Sequence, residues 1–310
     1  MATSKEERRG RGPSAAGAIE PSRRAPSRKP EALGPGLYLV ATPIGNARDI
    51  TLRALDVLGD CDAILCEDTR RTAKLLALHG IRKTLISYHE HNAEAMRPKA
   101  LARLRAGERL ALVSDAGTPL ISDPGFKLVR AALHEGLQVT ALPGASAVLA
   151  ALELSGLPCE RFAFFGFLPS KEAQRRAVLR EFAALPMTLV FFESPRRLAP
   201  TLRTLAELYP GRAAVVAREL TKLFEEVRRG PIEDLARHYR DSGAPKGEVV
   251  LLVGPPVRSP LAPEDVDRLL KERLEQAPLK EAVARLAGET GLPRRTLYSR
   301  ALALRAGRTP

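Results

Sequence analysis

The 310-residue sequence predicts an α/β protein that carries a small helical unit at its C-terminal end. Three observations lead there. From Leu37 onward, short β-rich apolar runs alternate with helical patterns, the signature of parallel α/β architecture. Gly254, Pro255, Pro256, Ser259, Pro260 and Pro263 then interrupt the alternation. Beyond them strand signals stop and only helical patterns remain. The length suits two or three domains with substantial cores.

Residues 1–34 mix Ser, Gly, Pro, Ala and Arg with almost no large apolar side chain, and carry eight basic against four acidic residues. Such a segment cannot offset its ordering entropy by burial, so a disordered basic tail is expected; without an apolar h-region it is no secretory signal. Strands are expected at residues 37–41, 63–66, 84–87, 110–114 and 139–142. Between them, Asp49 is read as the cap of a helix bearing Ile50, Ala54, Leu55 and Leu58 on one face, and Phe126, Leu128, Val129, Ala132 and Leu133 mark another. These elements form a first α/β domain over residues 35–145.

A second α/β domain is expected over residues 146–255. It opens with a helix at 146–154 capped by Ser146 and stopped by Gly156, and continues with strands at 162–165, 188–192, 213–217 and 249–253. Residues 256–263 read as a linker. Residues 264–310 hold helical stretches at 264–276, 279–290 and 294–305, and Gly291-Leu292-Pro293 makes a short turn between the last two. This resembles a helix-turn-helix presenting Arg294, Arg295, Tyr298 and Arg300; a small bundle that only packs on the body explains the pattern equally well.

Composition narrows the class. Apolar residues at 45% and charged residues at 27% are ordinary for a soluble globular chain and exclude disorder throughout. A net charge of +13 points to a polyanionic partner, with a basic solubility coat as the plainer alternative. Cys61, Cys66 and Cys159 form an odd set without ligand spacing, so reduced thiols in a cytoplasmic protein and no metal site are expected. The most apolar stretch, residues 139–157, contains Pro143 and Glu153 and reads as strand, turn and helix, not as a membrane span.

Glycines and small polar residues concentrate after three strands, in Ala41-Thr42-Pro43-Ile44-Gly45-Asn46, Ser114-Asp115-Ala116-Gly117-Thr118-Pro119 and Pro143-Gly144-Ala145-Ser146. Ligands of open parallel sheets bind beyond the carboxyl ends of strands, so these loops suit one shared pocket. Without GxxxxGK[ST] or GxGxxG it is not an ordinary nucleotide-phosphate site. Asp115 suits a cationic or hydroxylated ligand, or caps its own loop. Cys66-Glu67-Asp68-Thr69-Arg70-Arg71 and Phe191-Phe192-Glu193-Ser194-Pro195-Arg196-Arg197 gather carboxylates and guanidiniums at strand ends. They suit phosphate binding or a carboxylate base, or simply a helix cap with a solvated face.

Taken in order, Val40-Ala41-Thr42-Pro43-Ile44-Gly45-Asn46, Cys66-Glu67-Asp68-Thr69-Arg70, Ser114 through Gly125, Pro143-Gly144-Ala145-Ser146 and Phe192-Glu193-Ser194-Pro195-Arg196-Arg197 resemble the ribosomal RNA small subunit methyltransferase I family. That family is a branch of the tetrapyrrole methylase superfamily. The resemblance implies two α/β domains with a cofactor cleft between them, a C-terminal helix-turn-helix-like appendage, and S-adenosylmethionine as methyl donor. It further implies 2′-O-methylation of a cytidine in the decoding region of 16S rRNA within the small ribosomal subunit, by a homodimer. Carried over by motif, Pro43, Ser114, Asp115, Ala116, Gly117, Thr118, Ile121, Ser122, Ser146, Glu248 and Val249 are expected at the cofactor. Glu67, Asp68 and Glu193 are the candidates for base or orienter, and Arg70, Arg196 and Arg218 for gripping RNA phosphates. A corrinoid-precursor methylase and a noncatalytic RNA-binding protein are the rival readings. The Asp-Ala-Gly-Thr-Pro loop and an appendage with ten basic and seven acidic residues over 262–310 speak against the first.

Overall fold

The structure is a computed structural model describing residues 33–256 and 262–306. Nearly all of the expected basic tail, and linker residues 257–261, lie outside the described residues.

The first sheet contains β1 (Gly36–Val40), β2 (Ala63–Cys66), β3 (Leu85–Ser87), β4 (Arg109–Val113) and β5 (Val139–Leu142), in the order β3-β2-β4-β1-β5. All four pairings are parallel. A parallel sheet is covered on both faces, which explains why these strands read as continuous apolar runs. Tyr38 and Val40 face Ala54, Val57 and Leu58 of α1 (Leu52–Asp60) and Leu76 of α2 (Thr69–Leu78). Leu37 on the other face meets Leu101 and Leu104 of α3 (Ala93–Arg105) and Leu128 and Ala132 of α4 (Phe126–His134).

One expected cap is corrected. Asp49 closes a single 3-10 turn begun by Asn46, Ile50 is extended, and α1 is capped by Thr51, whose hydroxyl accepts from the Ala54 N–H at 3.1 Å. Two cap residues compete within five positions, and the one whose side chain reaches the third N–H of the helix prevails.

The second sheet follows α5 (Ala147–Ser155), which Ser146 caps as expected. Its elements are β6 (Phe162–Phe167), α6 (Glu172–Phe182), β7 (Thr188–Glu193), α7 (Pro195–Leu208), β8 (Ala213–Arg218), β9 (Glu226–Pro231), α8 (Ile232–Ser242) and β10 (Val249–Val253). The order is β6-β7-β10-β8-β9. This sheet is mixed, contrary to the parallel expectation: only β6 and β7 run parallel, whereas β10 is antiparallel to β7 and β8, and β9 to β8. The segment joining β8 to β9 is far shorter than the dozen or so residues a parallel crossover needs. Strand β9 escaped the sequence reading because Glu-Val-Arg-Arg-Gly-Pro is a polar edge strand with one neighbour.

Helices α6, α7 and α8 cover one face of this sheet through Leu179, Leu198, Leu202, Leu205, Ile232 and Leu235. On the other face α5 packs through Val148, Ala151 and Leu152, joined by Ile44 from the loop after β1. One apolar cluster therefore joins the loop after β1 and α5 to the second sheet.

The C-terminal helices α9 (Pro263–Gln276), α10 (Leu279–Thr290) and α11 (Arg294–Arg305) share a core of Val266, Leu270, Val283, Leu286, Leu297 and Ala301. Pro263, expected in the linker, is the first residue of α9, where a missing N–H costs nothing. Arg300, expected on the presented face, instead donates to the Asp267 carboxylate and to the Pro263 carbonyl, tying α11 to α9. Arg294, Arg295 and Tyr298 are exposed.

Candidate active site

The three glycine-bearing loops come together at the carboxyl ends of β1, β4 and β5. Thr42 and Gly117 exchange backbone hydrogen bonds, each 2.9 Å, and the Thr42 hydroxyl donates to the Ser114 carbonyl at 3.0 Å. Gly117 has φ +80°, and a Cβ there would lie 3.3 Å from Ile44 Cγ2, so this crossing of loops requires glycine. The Thr118 hydroxyl donates to the Ala145 carbonyl at 3.1 Å, bringing in the turn after β5. Ser114 is 4% exposed and curls onto Ala116, donating to its carbonyl at 2.7 Å and accepting its N–H at 3.0 Å.

The opposite wall comes from the second sheet, where Phe167, Phe192, Leu220, Glu248 and Val249 face these loops. Between the walls lies a cavity of about 390 Å³, within the usual range for small-molecule sites. Its apolar side includes Ile44, Ile121, Val148, Phe167 and Phe192, the two phenyl rings lying 5.6 Å apart. Its polar side carries Asp115, Asp123, Glu193, Glu248 and Arg71.

The carboxylates differ in how firmly they are held. Asp115 accepts the Asp68 N–H at 3.0 Å and lies 3.6 Å from the Arg71 guanidinium. Glu248 meets Lys222 at 3.0 Å, and Lys222 also meets Glu219 at 2.7 Å. Glu193 has a fully buried side chain that accepts from the Ser194 N–H at 2.8 Å and the Thr201 hydroxyl at 2.7 Å, with Arg197 at 3.3 Å. Asp123 is different: burial pushes its carboxyl up, opposed by the Ser114 hydroxyl and the Glu67 carboxyl. Burial also raises Glu67, helped by the nearby Asp123 and Asp115 charges.

Backbone strain concentrates here as well. The four non-glycine residues with positive φ among the described residues are Leu120, Ser122, Glu219 and Thr221, at 74°, 64°, 51° and 65°. They lie in the two loops that border the cavity from opposite sheets, a distribution typical of sites where geometry is over-determined by the surroundings.

Comparison with known proteins fits this geometry. Residues 36–236 match the family described as Tetrapyrrole (Corrin/Porphyrin) Methylases, and residues 260–305 match the RsmI C-terminal HTH domain. The ribosomal RNA small subunit methyltransferase I of Mesorhizobium japonicum is 50% identical over 274 residues, covering 88% of this chain and 93% of its own length. That of Erythrobacter litoralis is 51% identical over 277 residues, covering 89% and 97%. The chain belongs to the ribosomal RNA small subunit methyltransferase I family. Among solved structures, the methyltransferase CobJ superposes with TM-score 0.55 at 22% identity, covering 74% of this chain and 97% of its own. A uroporphyrin-III C-methyl transferase from Thermus thermophilus, complexed with S-adenyl homocysteine, does so with TM-score 0.52 at 23% identity, covering 71% and 97%. At these identities the likeness speaks for the tetrapyrrole methylase fold alone.

In this member of the methyltransferase I family, Asp115, Ala116, Gly117, Thr118, Ile121, Ser122, Ser146, Glu248 and Val249 line the cavity, as does Glu193. Pro43 and Ser114 do not; they shape the loops beneath and beside it. Glu67 and Asp68 stand at the entry to α2, outside the lining. Asp68 caps that helix at the Arg70 N–H, 2.9 Å away, and the Arg70 guanidinium holds its carboxyl well below the usual range, at about 2. Arg70 and Arg196 are exposed. Arg218 donates to the Glu226 carboxylate at 2.8 Å and to the Lys246 carbonyl at 3.0 Å.

Residues the sequence reading did not assign include Ile44, Arg71, Asp123, Phe192, Phe167 and Leu220. The first four sit inside the quoted motifs, and their neighbours were the signal. Phe167 and Leu220 carry none, since only the meeting of the two sheets brings them to the cleft.

Proposed function

We propose that this chain methylates the ribose 2′-hydroxyl of a cytidine in the decoding region of 16S rRNA, using S-adenosylmethionine held in the cleft between the two sheets. The observation that carries this reading is one cavity between the two sheets whose lining combines apolar side chains with four carboxylates, Asp115, Asp123, Glu193 and Glu248. The residues present fit that donor. Phe192, Val148 and Ile121 suit a flat heterocycle, and Asp115 and Asp123 suit its cationic groups and ribose hydroxyls. S-adenosylmethionine supplies the methyl group as an activated sulfonium substituent. The protein orients it with the backbone of Ala116, Gly117 and Thr118, and the half-buried Phe192 shields the apolar end from water.

RNA as substrate is supported by what the curated relatives are named and by the match of residues 260–305. Arg196, Arg70, Arg294 and Arg295 are the exposed cations proposed to meet phosphates, with the net charge of +13 adding long-range attraction. We further propose a division at residues 145 and 255, homodimer formation and work in the cytoplasm. Among the described residues no helix is long and apolar enough to cross a membrane, and no group of three or more His, Cys, Asp or Glu is placed to hold a metal.

The test is transfer of radiolabelled methyl from S-adenosylmethionine to small ribosomal subunits from a strain lacking this gene. Label on a single ribose 2′-oxygen near the decoding site is expected. Cofactor binding without label on subunits or free RNA would return the reading to a small-molecule methylase; no cofactor binding would return it to a noncatalytic RNA-binding protein.

A further inference from the structure

We propose that Glu219 and Lys222 are positioning residues for the methyl donor, pegging together the loop after β1 and the segment before β10 that both supply the cavity wall; the assignment rests on the function proposed above. Neither side chain lines the cavity, yet the pair touches the segments that give it Ile44, Gly247 and Glu248, and Leu220 lies between the two in the chain. Both are half-buried in the turn from β8 to β9. The Lys222 Nζ donates to Glu219 Oε1 at 2.7 Å and to Glu248 Oε2 at 3.0 Å. The same Glu219 oxygen accepts the Glu248 N–H at 3.0 Å, and the Glu219 N–H donates to the Glu248 carbonyl at 3.0 Å. One carboxylate therefore ties the ammonium of the turn to the backbone of the wall.

Glycines make room for the turn on both sides. Gly247 has φ +94°, and a Cβ there would overlap the Glu219 carboxyl. A Cβ at Gly45 would overlap the Lys222 Cγ and lie 2.8 Å from the Thr221 Oγ1 and 2.9 Å from the Leu220 carbonyl. The Asn46 N–H donates to that Thr221 hydroxyl at 3.0 Å. Such close approach on both sides is open only to a residue without a Cβ. Gly45 belongs to the first sheet's loop and Gly247 to the second sheet's, so the turn links the two walls.

The turn is also strained where it does this. Glu219 and Thr221 hold φ of 51° and 65°. Left-handed backbone at side-chain-bearing residues persists only where the surroundings enforce it, and it gathers at ligand clamps. Here the Thr221 N–H donates to the Glu225 carboxylate at 2.7 Å and the Lys222 N–H to the Glu219 carbonyl at 3.0 Å. A turn that only joined β8 to β9 would adopt these angles more easily with glycine. Without the ammonium, the Glu219 and Glu248 carboxylates face each other uncompensated; they repel, and Glu219 releases the Glu248 N–H.

Calorimetry with S-adenosylhomocysteine, in the absence of RNA, tests the peg. Lys222→Met keeps the stem against Gly45 and removes the charge, so the dissociation constant should rise about tenfold. Combining Lys222→Met with Glu219→Gln removes the repulsion, leaves an amide oxygen for the Glu248 N–H and offers an amide donor to the Glu248 carboxylate. Affinity should then return to within about threefold of wild type. Glu219→Gly relieves the left-handed strain while deleting the acceptor: affinity should fall about tenfold with the thermal midpoint within about 3 °C of wild type, whereas a purely structural role would lower both. On small ribosomal subunits, KM for S-adenosylmethionine should follow the affinity while kcat stays within about threefold, because the pair touches neither donor nor substrate. Binding by Lys222→Met or Glu219→Gly within about twofold of wild type overturns the assignment, as does a double variant no tighter than Lys222→Met. If Lys222→Met does not fold, Glu219→Gly carries the test with the same threshold. A wild-type protein that binds S-adenosylhomocysteine but labels no RNA overturns the RNA reading above and leaves the peg to the affinity results; one that does not bind it overturns both.

Discussion

Replacing Gly144 by alanine should separate the turn after β5 from the end of β1. A Cβ at residue 144 would stand 2.7 Å from the Ala41 Cβ, against the roughly 3.5–4.0 Å at which two carbons rest comfortably. Ala41 cannot easily retreat: it is 4% exposed, and the next residue, Thr42, is bonded in both directions to Gly117. Overpacking of this kind costs about 1–3 kcal/mol, offset by about 0.4–1 kcal/mol from the reduced freedom of the unfolded chain, for a net loss of about 1–2 kcal/mol. Urea unfolding of wild type, Gly144→Ala, Ala41→Gly and the double variant reads this as a cycle. The double variant should be more stable than the two separate losses sum to, by about 1 kcal/mol, because the clash is gone. S-adenosylmethionine affinity should fall in Gly144→Ala and recover in the double variant. A Gly144→Ala protein within about 0.5 kcal/mol of wild type, or strict additivity in the cycle, would refute the packing argument.

Glu193→Gln should lower the urea midpoint, because Arg197 loses its counter-charge, yet turnover should stay within a few-fold since Thr201 keeps an acceptor; a loss beyond about 100-fold in a folded variant would return Glu193 to proton transfer. Phe167→Ala should weaken S-adenosylmethionine binding by about 0.5–1.5 kcal/mol in calorimetry, with little change in thermal midpoint because the side chain is 56% exposed. Asp62, held at about 2 by the Arg109 guanidinium, has a folded value below its unfolded one. Its contribution is therefore full above the usual carboxylate range and is lost as pH falls toward about 2. Asp62→Asn should flatten stability against pH between about 4 and 2 in thermal melts; an unchanged slope would sink that assignment.

Much of the first sheet was legible because a doubly covered parallel sheet writes itself as short apolar runs, and Ala63–Cys66 and Val139–Leu142 fall where those runs do. The C-terminal helices were legible from period and from Gly291, whose φ of 74° ends α10 as a helix-stopping glycine should. Strand β9 was not legible, since Arg228 and Arg229 leave no apolar alternation at a sheet edge. Nor was the partnering of Arg218, Arg300 and Asp68. A charged residue at a strand or helix end looks the same in sequence whether it faces solvent, a ligand or a neighbouring carboxylate.

By itself, then, the sequence determined the local things: which stretches are apolar, where glycine permits a tight crossing, and which loop motifs mark the family. Only the tertiary structure decided which carboxylates are occupied and which are not. Ion pairs such as Arg218 with Glu226, and hydrogen bonds such as Asp115 with the Asp68 N–H, join residues whose separation in the chain carries no periodic signal. The same holds for the cleft, whose second wall, Phe167 and Leu220, meets the loops of the first sheet only because Ile44 and α5 pack against the second sheet in one apolar cluster.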